Sequence, residues 1–192
     1  MHSLKDNFIP MSQFVLMGIF LSIILISCSK QEVEKPVEEN FAQGEFLILE
    51  ARWDEARNYL REFLLDNPNH PGAHFYLGRS YLLWKEDFRP IIAEGELQMA
   101  LQLFRDNDSQ SYIDRFPPSY FVVICNIESA KVLLIEFAIR QENGAPIEQL
   151  QPLVIRARRY VEAARKADPT HQDVIDSDAL VQSAEHYIRM PR

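Results

Sequence analysis

The sequence repeats itself at a fixed interval. Gly44 and Gly78 stand 34 positions apart, and a unit numbered from Val37 restarts at Pro71, so both glycines take its eighth place. Trp53, Asp54, Glu55, Ala56 and Pro68 fall at set offsets in the first unit, and Leu77, Gly78 and Tyr81 restart the frame in the second. A recurrence of this length marks one supersecondary unit that buries its apolar face only against a neighbouring copy. Trp53, Ala56, Leu60, Phe63 and Leu64 form a stripe at helical spacing, which predicts a helix from about Ala51 to Asp66. It ends there because Asn67, preceding Pro68, is pushed out of the α region. Gly44 and Ala56 are small where two antiparallel helices must cross closely.

This frame resembles the tetratricopeptide repeat, whose first helix carries an aromatic residue, Leu-Gly and Tyr, and whose second carries Ala, a large apolar residue and Pro. The resemblance implies an all-α antiparallel helix-pair solenoid over residues 41–192, with about three degenerate repeats and a C-terminal capping helix. The match loosens along the chain. His74 stands where Trp is usual, and after Trp84 the frame slips. Pro90 opens a helix through Ile91, Leu97, Ala100, Leu101 and Phe104; seating Ala100 at place 20 requires about ten inserted residues. Arg105 to Phe116 reads as a polar loop, and its Asp106-Asn107-Asp108-Ser109 lacks the Gly and distal Glu of a calcium loop.

Pro117-Pro118 predicts the start of a long helix to about Arg140, apolar around its whole axis and therefore central. Glu128, Lys131 and Glu136 argue against its insertion into a bilayer. Asn143-Gly144 ends it in C-cap fashion. The next helix is expected from Pro152, with Ala157, Val161 and Ala164, closed by Asp168-Pro169; Ala157 to Pro169 repeats the separation of Ala56 from Pro68. Val174 to Ile188 is expected to cap the array.

A second feature concerns location. Phe14 to Ile26 is apolar apart from Ser22 and Gly18, the length of a signal-peptide core and short of the roughly 20 residues of a spanning helix. Leu25-Ile26-Ser27-Cys28 resembles a bacterial lipoprotein cleavage box. That resemblance implies a signal peptide over 1–27, diacylglycerol and further acylation (palmitate-like chains) on Cys28, and a membrane anchor in the cell envelope. Ser29, in place of Asp, points to the outer membrane, facing the periplasm. The alternative is an uncleaved anchor from Phe8 to Ile26, since the head of the leader has only Lys5, offset by Asp6. Residues 28–40, rich in Glu, Lys and Gln with Pro36, read as a flexible tether.

The chemistry is mostly negative. A net charge of −8 without a dense Lys/Arg stripe disfavours nucleic acid. No nucleophile-elbow, zinc-protease, phosphate-loop or dinucleotide pattern occurs, so neither an enzyme nor a cofactor is expected. Of the two cysteines, Cys125 lies in an apolar run and reads as core. His70 and His74 have ligand-like spacing, but Pro71-Gly72 intervenes, so no metal site is expected. His171 with Asp173, Asp176 and Asp178 reads as helix capping. Arg156, Arg158, Arg159, Arg165 and Lys166 read as a solvated helix face; the sharper alternative is a site for an acidic segment or anionic headgroups.

In the family this chain resembles, first helices line a concave groove. Carried over by position, partner contacts in the second repeat are Phe75, Tyr76, Arg79, Leu82 and Leu83, with Gly72; the first repeat offers Phe41, Glu45 and Ile48, and the third Asn126 and Lys131. The Lys/Asn clamp for a C-terminal carboxylate is not reproduced, since Phe41, Glu45 and Tyr76 hold its places. The implied function is an adaptor that grips a segment of another envelope protein; the alternative is a helical cavity for a lipid or other hydrophobic small molecule.

Overall fold

The computed structural model describes residues 37–106 and 117–190. The leader, Cys28, the tether as far as Pro36 and most of the polar loop (107–116) lie outside the described residues. Those described form seven α-helices and no strand: α1 (Val37–Leu49), α2 (Trp53–Asp66), α3 (Pro71–Leu83), α4 (Pro90–Asp106), α5 (Pro118–Glu142), α6 (Ile147–Ala167) and α7 (Gln172–Arg189). Each packs on the next in sequence, and α1 on α3, α3 on α5 and α5 on α7 as well. The α1 and α3 helices run the same way, since Phe41 meets His70 and Glu45 meets Tyr76 further along both. The same holds for α5 and α7, where Tyr120 lies by His171 and Phe137 by Tyr187. Among the described residues no helix is long and apolar enough to cross a membrane.

The α5 helix is apolar all round because it serves two cores. Phe121, Cys125 and Val132 join the cluster of α1–α4, while Val123, Ile127, Ala130, Leu133 and Phe137 join that of α6 and α7. Aromatic rings link the first cluster, from Phe41 through Tyr76 (5.7 Å) and Phe75 (5.2 Å) to Phe121 (5.7 Å) and Phe104 (4.6 Å). The charges expected to interrupt α5 pair along the helix: Lys131 with Glu128 at 3.1 Å, and Arg140 with Glu136. Cys125 is buried and unbridged, and burial followed by nearby Glu128 pushes its thiol pKa well up, so it packs as an apolar group.

The two repeat glycines hold equivalent places. A methyl group on Gly44 would meet Leu60 of α2, and one on Gly78 would meet Leu97 and Ala93 of α4. In both helix pairs the small residue faces an Ala-x3-Leu pair that is fully buried: Ala56 and Leu60, then Ala93 and Leu97. This corrects the expected register, which put Ala100 and Phe104 there. Gly44 to Leu60 is 16 positions and Gly78 to Leu97 is 19, so the second unit is longer by three residues, not ten. The extra length sits at the 3₁₀ turn Lys85–Asp87.

Two boundaries also differ from expectation. The α1 helix starts at Val37, so four residues assigned to the tether are helical. The α6 helix starts at Ile147, behind Pro146, and carries Pro152 in its interior. A proline there costs a backbone hydrogen bond, but the extra turn buries Leu150 completely. The short hairpin loops are built alike. Ala51 (φ 56°) and Gly144 (φ 73°) end α1 and α5 in the left-handed region. In each, the next residue's amide returns to the helix, Arg52 to the Leu47 carbonyl and Ala145 to that of Arg140, both at 2.9 Å, closing a Schellman motif.

Candidate functional site

The α3, α5 and α7 helices enclose an open groove of about 670 Å³. Its α3 wall is Arg79, Leu82 and Leu83; its α5 wall runs from Glu128 and Lys131 past Leu134, Ile135 and Ala138 to Gln141; its α7 wall includes Leu180, Ser183 and Tyr187. The helical periodicity of α5 and α7 brings these residues to one side. The lining is mainly apolar, and it is open: Leu180 is 56 % exposed and Ile135 40 %. A contiguous apolar surface rimmed by polar groups marks an interaction site more often than a defect.

Of the five partner contacts expected from the sequence, Arg79, Leu82 and Leu83 line this groove. Phe75 and Tyr76 do not. They are only 4 % and 6 % exposed and belong to the aromatic core, where the Tyr76 hydroxyl donates to Glu45 Oε1 at 2.6 Å. They act from beneath: the Arg79 guanidinium lies over both rings, 5.7 Å from Phe75 and 6.0 Å from Tyr76. Phe41 and Ile48 are buried as well, and buried Asn126 donates to the Val122 carbonyl at 2.7 Å. Lys131 reaches the groove. Positional transfer fails at the aromatic sites because two large rings on a short helix between two neighbours are worth more inside than out.

Arg79 is one of the polar residues of the groove, with Glu128, Lys131, Gln141 and Ser183. Its Nε is shielded from solvent and has no hydrogen-bond partner among the described residues. The other cation, Lys131, is already paired with Glu128. No family model and no curated protein matches this chain.

The remaining repeat positions are structural in their contacts. Leu77 and Ala157 are core, and Trp53 opens α2 against the first cluster. The Pro68 carbonyl receives a hydrogen bond from His74 Nε2 at 2.9 Å, and Pro169 follows the Asp168 cap of α6. Buried Arg57, which sequence reasoning missed, explains how the three extra residues are held. It donates to the Ser80 carbonyl (2.9 Å) and to Asp87, with its guanidinium 4.1 Å from the Tyr81 ring and 4.6 Å from that of Trp84. The available signal was a cation inside an otherwise apolar stripe, at a position the frame turns inward.

The basic set on α6 is largely spoken for. Arg156 pairs with Glu94 of α4, which also accepts from the Tyr160 hydroxyl at 2.8 Å. Burial, then Glu94, pushes Tyr160 up to about 12. Arg158 bridges Asp178 and Glu185 of α7, and Arg165 reaches Asp178 at 2.7 Å. These cations tie helices together, and Asp178 is an ion-pair partner and not a cap. His171 does cap α7, accepting from the Asp173 amide.

His70 and His74 also part company. His70 caps α3, accepting from the Ala73 amide at 3.0 Å, with its ring against Phe41 and Phe63. His74 reaches Glu96 at 2.6 Å through Nδ1. Among the described residues no cluster of potential ligands could hold a metal.

Proposed function

We propose that this chain is a membrane-tethered adaptor of the bacterial cell envelope that holds a segment of a partner protein in the α3/α5/α7 groove. The observation carrying the reading is the open apolar groove with Arg79 on its wall, the Nε of that side chain having no hydrogen-bond partner among the described residues. A tetratricopeptide-like array of helix pairs is the matching architecture, supported by the equivalent glycine crossings and by the contacts of odd-numbered helices with one another. The lipoprotein-like box at Cys28 supports the tether, an outer-membrane position facing the periplasm and removal of residues 1–27. The reading assigns the chain no catalytic step and no cofactor.

A second reading has an observation of its own: the size and apolar lining of the groove also suit a lipid. One experiment separates the two. A photoreactive residue placed at Ser183 in the full-length chain is activated in the producing cells, and the adduct is identified by mass spectrometry. The adaptor reading expects one envelope protein joined through a defined peptide, lost when Leu180→Glu puts a charge in the groove. An acyl-chain adduct would replace it with the lipid reading. No adduct from Ser183 in folded protein would end both.

A further inference from the structure

We infer that the groove takes an amphipathic helix carrying one Asp or Glu at the margin of its apolar face, and that this carboxylate seats on Arg79. The inference rests on the adaptor reading above and gives the partner a chemistry.

The charge comes first. Shielding an N–H donor from water without an acceptor is costly, and native structures seldom leave one so. Arg79 Nε is such a donor. The Phe75 and Tyr76 rings hold the guanidinium over them, so the group is poised and not sweeping through solvent. Nε itself is covered, but Arg79 as a residue is only half-buried, so a carboxylate laid in the groove meets the guanidinium along the edge formed by its two Nη groups. That edge matches the two oxygens of a carboxylate, each accepting one N–H. Lys131 and Glu128 cancel one another, so the groove carries one unmatched positive charge on a chain of net charge −8. Long-range repulsion therefore disfavours broadly acidic partners, while the local field favours a single carboxylate set in an apolar surface.

The shape comes second. The α5 wall runs from Glu128 to Gln141, which at 1.5 Å per residue spans about 20 Å. A helix of three to four turns covers that length. The exposure of Leu180, Ile135 and Leu83 leaves the groove open along its run, which suits a helix laid in with its polar face outward. A site for an acyl chain would enclose most of it.

The test uses the full-length chain and a display library of roughly 14-residue peptides, flanked at both ends so that only side chains supply carboxylates. Apolar residues are fixed at helical spacing and the other positions randomised. Selection on the wild type is expected to enrich Asp or Glu at one position. Selection on Arg79→Gln is expected to lose that preference, and on Arg79→Glu to replace it with Lys or Arg. A selected acidic peptide is expected to bind Arg79→Gln about tenfold more weakly or worse. Circular dichroism confirms that each variant is folded. Apolar peptides enriched with no acidic preference, or one that persists on Arg79→Gln, would overturn the inference and leave the groove reading standing. No enrichment on folded wild type, or binding indifferent to Leu180→Glu, would overturn the groove reading itself.

Discussion

Ala51 and Gly144 do the same work with unequal means. Both turn the chain through the left-handed region at the end of a helix, but only Gly144 lacks the Cβ that makes this conformation costly. Ala51→Gly is therefore expected to raise stability by about 1 kcal/mol, and Gly144→Ala to lower it by a similar amount. Urea unfolding of the two variants reads this directly; a loss from Ala51→Gly would contradict the cap geometry.

His70 and His74 also contrast. Burial holds His70 down at about 4, so it stays neutral and accepts from the Ala73 amide. Its contribution to stability is full above the unfolded value of about 6.5 and is lost as pH falls from there toward 4. For His74, burial pulls down but the bonds to Glu96 and the Pro68 carbonyl outweigh it, and the net shift is upward. Its contribution is full below about 6.5 and fades as pH rises through the folded value. Against wild type, His70→Asn, which still caps, is expected to flatten the fall between pH 6.5 and 4, and His74→Gln the fall on the alkaline side. Unfolding midpoints measured against pH decide it; parallel curves for wild type and variants would refute the assignment.

At the scale of helices, the two glycine crossings differ in what surrounds them. A methyl on Gly44 would come 2.5 Å from Leu60 Cδ2 and 3.1 Å from its Cγ, side-chain atoms that can shift more readily than backbone. On Gly78 it would meet Leu97 Cγ at 2.8 Å and also the Ala93 carbonyl at 3.0 Å and the Leu97 amide nitrogen at 3.2 Å, which are backbone. The shorter distance is thus the more tolerable one. Gly44→Ala is expected to stay within about 1 kcal/mol of wild type, helped by better helix propensity, and Gly78→Ala to cost about 1–3 kcal/mol because α3 and α4 must separate. Equal losses in denaturant would mean that the α3/α4 contact can give. The sequence was informative here. The 34-residue recurrence places both glycines, and Asn143-Gly144 marks a turn by its backbone demand alone. The slip after Trp84 was visible but not measurable, because an insertion held by Arg57 through tertiary bonds leaves no local periodic trace.

For the molecule as a whole, the C-terminal helix is the part most dependent on charge. The α7 helix packs on α5 and α6 and is tied by Asp178 and Glu185 to Arg158 and Arg165. Burial would raise Asp178, but hydrogen bonds from Arg158 and Arg165 outweigh it; for Glu185 the bond from Arg158 is the largest cause, and both carboxyls sit below their usual values. Their contribution is full above the unfolded carboxyl values near 4 and disappears as pH falls through the lower folded ones. Below about pH 4, where the His70 cap of α3 is already lost, acid is therefore expected to loosen Gln172–Arg189 ahead of α4. Hydrogen exchange followed at pH 3 checks this, and α7 amides exchanging no faster than those of α4 would count against it. Since α7 forms one wall of the groove, the same conditions are expected to weaken binding of the proposed partner segment.

The local grammar of the chain was enough to determine that it is helical, where prolines and a glycine stop its helices, and which small residues let two of them cross. Those properties are set by a few neighbours in sequence and by backbone sterics. Which apolar residues remain outside was decided only in three dimensions. Phe75 and Tyr76 look like a binding surface on an isolated helix and become core once α1 and α5 close over them. Leu180 and Ile135 look like core and remain exposed because none of the described helices covers them. Burial is a property of what packs alongside, and no single segment carries that information.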